Sequence, residues 1–218
     1  MLIGLCNCYH FINKQFYWIG HKVSETSDKE IREAFHIKRL RSYHDCPDTM
    51  VIDELGVAHG KNRIDIAVVN GCIHGYEIKS SKDNLLRFPS QLESYAQCFE
   101  KLSVVSAENH LDELTQSTPE WCGIVLAKKG VRGGINFSTI RRSKQNPSVD
   151  IMAMAHFLWK KETIELLVSL GANKEMLKGA RLNLYKNLSE MITVPELSSK
   201  IKSLFMSREK WRDALQQK

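Results

Sequence analysis

Glu54, Asp65, Glu77 and Lys79 place charge on segments that otherwise read as short apolar strands, all within Val51–Ser80. Charged side chains seldom sit among apolar neighbours without a partner. Three carboxylates and an ammonium so placed can bind a divalent cation and activate a water. Hard oxygen ligands select Mg2+ or Mn2+, and the bound cation acidifies its water while Lys79 steadies the nucleophile or the developing charge. Without a cation, clustered carboxylates repel by about 1 kcal/mol per pair in water and about 4 kcal/mol near a protein surface. The competing reading is an ion-pair cluster on a half-exposed sheet, with Lys79 neutralising Glu77.

The positioning elements follow from local signals. Ser27 and Glu30 have capping-box spacing, and Ile31, Ala34, Phe35 and Leu40 recur at helical intervals, so a helix begins near Asp28 and ends before Cys46-Pro47. Strands are expected at about Met50–Leu55, Arg63–Val69 and Cys72–Ser80. A helix follows from about Asn84 to Lys101 with a bend at Pro89, then a strand near Leu102–Ser106, a short helix near His110–Gln116 and a strand at Cys122–Ala127. A three-residue loop, Val69-Asn70-Gly71, with Gly71 left-handed, sets Asp65 opposite Gly75 and Glu77 diagonally beside it. A diagonal of about 7–8 Å suits two carboxylates meeting one ion. In this register Gly75 leaves the space between them empty, and His74 falls on the other face.

The chain has 218 residues with a net charge of +6. The sign is uneven: residues 1–127 hold 13 basic against 17 acidic side chains, and residues 128–218 hold 18 against 8. A basic second part is the footprint of a polyanion partner, nucleic acid above all. No apolar run is long enough to span a bilayer. The six scattered cysteines fit reduced thiols in the cytoplasm. Cys6, Cys8 and His10 lack the fourth ligand that a closed zinc site needs. There is no P-loop motif.

Four parts are expected: an N-terminal extension (1–23), an α/β domain (24–127), a basic connector (128–150) with a short strand at Gly134–Phe137, and a helical basic module (151–218). In the last part, Thr193 and Glu196 form another capping box. Asp83 reads as the cap of the next helix, and Trp159 and Trp211 read as packing residues. Lys61, Arg63, Arg141, Arg142, Lys178 and Arg181 are the candidate phosphate contacts. A homodimer or a partner protein is compatible with the extension.

Asp65 with Glu77-Ile78-Lys79 resembles the Asp…Glu-x-Lys signature of the PD-(D/E)XK nuclease superfamily, although Ile64 replaces the proline. Glu54 before a Gly/Lys/Arg-rich loop and Asp65 is similar to small bacterial members linked to DNA repair. Gln91 and Tyr95 match a RecB-type Q-x-x-x-Y motif. The resemblance covers roughly residues 27–127. It implies a restriction-endonuclease-like αβββαβ sandwich with a mixed central sheet, plus the C-terminal all-helical module. It implies hydrolysis of phosphodiesters, in DNA before RNA, by a metal-activated water. Glu54, Asp65, Glu77 and the Ile78 carbonyl would hold Mg2+ or Mn2+. Lys79, Gln91 and Tyr95 would complete the site, with a role in DNA repair or phage defence. The alternatives are an RNase, a nucleic-acid-binding protein that does not cut, and a subunit recruited to a larger complex.

Overall fold

The computed structural model describes residues 25–216. The N-terminal extension with Cys6, Cys8 and His10 lies outside the described residues, as does the side chain of Trp211. The order is α1 (Asp28–Lys38), α2 (Arg41–His44), β1 (Met50–Val57), β2 (Asn62–Val69), β3 (Ile73–Lys79), α3 (Phe88–Cys98), β4 (Lys101–Ala107), α4 (Leu111–Ser117), β5 (Gly123–Lys129) and β6 (Ile135–Arg141). Then come α5 (Ile151–Met154), α6 (Lys160–Ser169), α7 (Arg181–Ser189) and α8 (Val194–Gln216). The strands form one six-stranded sheet in sequential order. β1–β2, β2–β3 and β5–β6 are antiparallel, and β3–β4 and β4–β5 are parallel. This is the mixed α/β sheet expected from the sequence.

The caps behave as their chemistry requires. The Ser27 backbone N–H donates to Glu30 Oε2 at 2.9 Å, and the Glu30 N–H donates to Ser27 Oγ at 3.3 Å. The first helix stops earlier than expected, because the N–H groups of Arg39 and Leu40 both converge on the Phe35 carbonyl and tighten the last turn. Pro89 starts α3 rather than bending it, since its missing N–H costs nothing in a first turn. Asp83 caps no helix: its carboxylate accepts the Ser80 N–H and hydroxyl, each at 2.7 Å. The connector supplies a full sixth strand.

Two cores sandwich the sheet. On one face Ile31, Phe35 and Leu40 pack on Ile66, Val68, Tyr76, Ile78 and Val125. On the other, Phe88, Tyr95, Phe99 and Leu102 share a cluster with Met154, Phe157, Tyr185, Leu197 and Phe205, so the C-terminal helices and the sheet bury one another. Buried Glu100 ties them further, accepting the Ile73 N–H at 2.8 Å and the Ser198 hydroxyl. Trp159 is not a core residue. It is 56% exposed, with the Arg208 guanidinium 4.3 Å from its ring centre.

Gly75 faces the second core. A Cβ there would stand 3.1 Å from Phe99 and 3.2 Å from Leu102, both fully buried. The space beside Gly75 is therefore filled by Phe99 and is not kept open for carboxylates. Gly75→Val is expected to destabilise the fold by about 1–3 kcal/mol through overpacking. A urea unfolding midpoint equal to that of the parent protein would contradict this packing.

Candidate functional site

The hairpin between β2 and β3 turns through Asn70-Gly71-Cys72. The Asn70 N–H meets the Cys72 carbonyl at 3.0 Å, and Gly71 has φ +69°. Val69 pairs with Ile73 and Ile66 with Tyr76. The loop has the expected length, but it starts one residue later. Extending this register sets Asp65 directly across from Glu77 instead of Gly75. On the other side, the flanking pairs Asp53–Ile66 and Leu55–Ile64 set Glu54 across from Asp65. Glu54 has φ +56°, a left-handed conformation that is uncommon for a side chain with a Cβ. It marks the point where regular alternation breaks: Ile52 and Leu55, three apart, both pack on the same core.

The three acids meet in a cleft of about 640 Å3 that Arg32, Lys61, Arg63, Ile78, Lys79 and Gln91 also line. Inside it the positive charge comes from the protein. The Arg32 Nη2 lies 2.8 Å from Asp65 Oδ1 and 2.8 Å from Glu54 Oε1. Its Nη1 donates to the Asp65 carbonyl at 2.8 Å, and its Nε donates to Asp28 at 3.2 Å. Glu54 is held a second time by Arg63 Nε at 2.6 Å. Asp65 Oδ2 accepts the Ile78 N–H at 2.6 Å, doing for β3 what a strand carbonyl does once the pairing with Ile66 has ended. Lys79 Nζ lies 2.7 Å from Glu77 Oε1 and donates to Gln91 Oε1 at 3.0 Å. Gln91 continues to the Tyr95 hydroxyl at 3.4 Å, and that hydroxyl donates to the Arg63 carbonyl at 2.7 Å. Tyr95 is fully buried, so it orders β2 and the cleft wall. Glu77 Oε2 is buried and has no hydrogen-bond partner.

Burial governs the proton affinity of these acids. Asp65 is pushed up to about 7, first by desolvation and then by the charge of Glu77, against the pull of the Ile78 N–H and Arg32. Glu77 is raised by burial, with Lys79 opposing it. Among the described residues, no three His, Cys, Asp or Glu side chains converge as a metal cage.

The candidate phosphate contacts separate by environment. Lys61 and Arg63 are exposed at the cleft mouth, where Arg87 joins them. Arg142 is exposed and Arg181 is exposed at the first residue of α7. Lys178 is exposed and pairs with Glu175 at 2.7 Å. Arg141 turns inward: its Nε donates to the Cys122 carbonyl at 2.7 Å, and its Nη2 reaches Thr118. Its charge secures the end of β6. Reading strands alone missed Arg32 and Asp28, which lie on α1. Their spacing of four was the available signal.

A carboxylate whose folded pKa is raised binds more protons in the native than in the unfolded state. Its contribution is complete below the unfolded value near 4 and is lost as pH rises through about 7. One pKa unit is about 1.4 kcal/mol, so the Asp65 shift contributes at most about 4 kcal/mol across that window. Urea unfolding at pH 5 and pH 8 should show this decline, and Asp65→Asn should flatten it. An unchanged slope in the variant would remove Asp65 as its source.

Comparison with known proteins gives this site its context. A family described as Bacteriophage P4 protein cII matches residues 22–216. Protein cII of Enterobacteria phage P4 is 29% identical over 124 residues, covering 57% of this chain and 47% of that protein. The chain thus spans about half the length of the curated relative it matches. No solved structure matches the chain. The cII match overturns the resemblance to the PD-(D/E)XK superfamily. The nuclease and hydrolase activity, the RNase alternative and the roles in DNA repair or phage defence fall with it. In the cleft, Arg32, Arg63 and Lys79 stand against the carboxylates expected to hold a metal. With the match running over nearly its full length, the chain belongs to the bacteriophage P4 protein cII family.

Proposed function

We propose that this cII-family protein binds nucleic acid through the phosphate backbone. The observation that carries the reading is the charge of residues 128–218, 18 basic against 8 acidic side chains. Arg142, Lys144, Lys174, Arg181, Lys186 and Lys200 of this segment are all exposed. Cationic side chains at such a density release counterions from a polyanion whatever its sequence. Lys61, Arg63 and Arg87 add cationic groups at the cleft mouth. Among the described residues no helix is long and apolar enough to cross a membrane.

A divalent cation, Mg2+ or Mn2+, is part of the same proposal as an aid to binding. Asp65 and Glu77 would hold it, and Glu77 Oε2, buried without a hydrogen bond, is the feature that supports it. The ion would supply charge neutralisation for two buried acids and a bridge to phosphate.

Binding of labelled single- and double-stranded DNA and RNA should weaken linearly in log K against log salt. The triple variant Lys144→Ala, Lys186→Ala, Lys200→Ala should lower the slope by about 0.9 for each phosphate no longer neutralised, equally for all sequences. Absence of binding at low salt to every polymer would sink the reading. Calorimetric titration with Mn2+ should show binding that Glu77→Gln weakens about tenfold. Equal heats in both proteins would remove the cation from the proposal.

A further inference from the structure

A second cavity of about 430 Å3 opens beside α1 and α2, with no lining residue in common with the acidic cleft. Phe35, Leu40, Tyr43, Tyr76 and Val125 give it apolar and aromatic walls. At its floor runs a chain of hydroxyl and imidazole groups. Ser103 Oγ lies 3.0 Å from His74 Nε2, and His74 Nδ1 lies 3.1 Å from the Tyr76 hydroxyl. The two rings of β3 stack, with centres 4.2 Å apart. Burial lowers His74 to about 3, so its ring is neutral and offers one donor and one acceptor. Arg39, Arg141 and Arg142 also line it, Arg141 already bonded to Cys122 and Thr118, and no acidic residue does. Arg39 donates to Thr139 at 2.8 Å, and Arg142 has no hydrogen bond or ion pair among the described residues.

We propose that this cavity is a binding site for a nucleotide 5′-phosphate, with its heterocycle against the aromatic walls and the floor groups, and its phosphate between Arg39 and Arg142. A heterocyclic base both stacks and hydrogen-bonds, which matches walls and floor together. Guanidinium groups in a cavity without a carboxylate match a phosphate. The volume lies in the range of small-molecule sites. The ligand is either a free mononucleotide or the 5′-phosphorylated end of a strand. The site shares no lining residue with the acidic cleft, and of the exposed cations named for backbone binding it uses Arg142 alone.

Calorimetry with AMP and CMP, with adenosine and cytidine, and with inorganic phosphate tests it directly. The monophosphates should bind at least tenfold more tightly than the nucleosides or phosphate. R142A and R39A should each weaken them about tenfold, while K61A/R63A in the cleft leaves them unchanged. Arg142 is exposed and unpaired, so R142A keeps the fold, and an unchanged thermal unfolding profile verifies this. A 5′-phosphorylated oligonucleotide compared with its 5′-hydroxyl counterpart then assigns the source. A preference for the phosphorylated strand that R142A abolishes identifies a strand end, and binding of the free monophosphates alone identifies a mononucleotide. Failure of AMP and CMP to bind at millimolar concentration, affinity no better than for inorganic phosphate, or indifference to both arginine variants would each overturn the proposal.

Discussion

One guanidinium holds the charged end of this fold together. Arg32 reaches from α1 to carboxylates on three elements, Asp28 on its own helix, Glu54 on β1 and Asp65 on β2, and to the Asp65 carbonyl. Its side chain is 18% exposed, as is that of Asp65, so neither charge is left to water alone. Removing one member of such a group costs more than forming the group gains, because the remaining charges are stranded in a poor dielectric. That asymmetry fixes where α1 lies on the sheet. It also compensates the left-handed Glu54, whose carboxylate is gripped by Arg32 on one side and Arg63 on the other.

The remaining polar groups extend this arrangement through the cleft wall. Asp65 stands in for a missing strand partner of Ile78, so β2 and β3 can part without leaving an orphaned N–H. Lys79, Gln91 and Tyr95 form a chain that ends on the Arg63 carbonyl, which couples α3 back to β2. Each of Glu54, Asp65, Glu77, Lys79, Gln91 and Tyr95 therefore has a structural partner here. Glu77 is the exception in one atom, and its raised proton affinity follows from the same burial.

Much of the fold was legible in the sequence. The capping box at Ser27, the three strands carrying the acids, the crossover helix bearing Gln91 and Tyr95, and the parallel strands after it all rest on local patterns that packing reinforces. The meeting of Glu54, Asp65, Glu77 and Lys79 in one cleft was legible for the same reason. Register was not. A three-residue turn could start at Val69 or at Asn70, and both registers leave Asp65 and Glu77 on one face. The identity of the counter-charge was not legible either. Arg32 is 33 positions from Asp65, and its approach depends on how α1 crosses the sheet. An acid motif read alone gives no sign of the distant arginine that already stands against it. The partners of Arg141 were not legible either, since a basic connector gives no sign that one of its guanidinium groups will bond to the Cys122 carbonyl.

β3 joins the two halves of the molecule's polar chemistry. It lies in the interior of the sheet between an antiparallel and a parallel neighbour, and almost every residue of it is buried. Such strands are ordinarily uniform apolar runs. Here alternation turns His74 and Tyr76 one way, into the cavity beside α1 and α2, and Glu77 and Lys79 the other, into the acidic cleft. Each polar group so buried needs a partner of its own, and each set finds its partners from different elements: Ser103 of β4 on one face, Gln91 of α3 on the other. A single strand can carry two unlike cavities because its successive side chains point in opposite directions, and the two cavities share no lining residue.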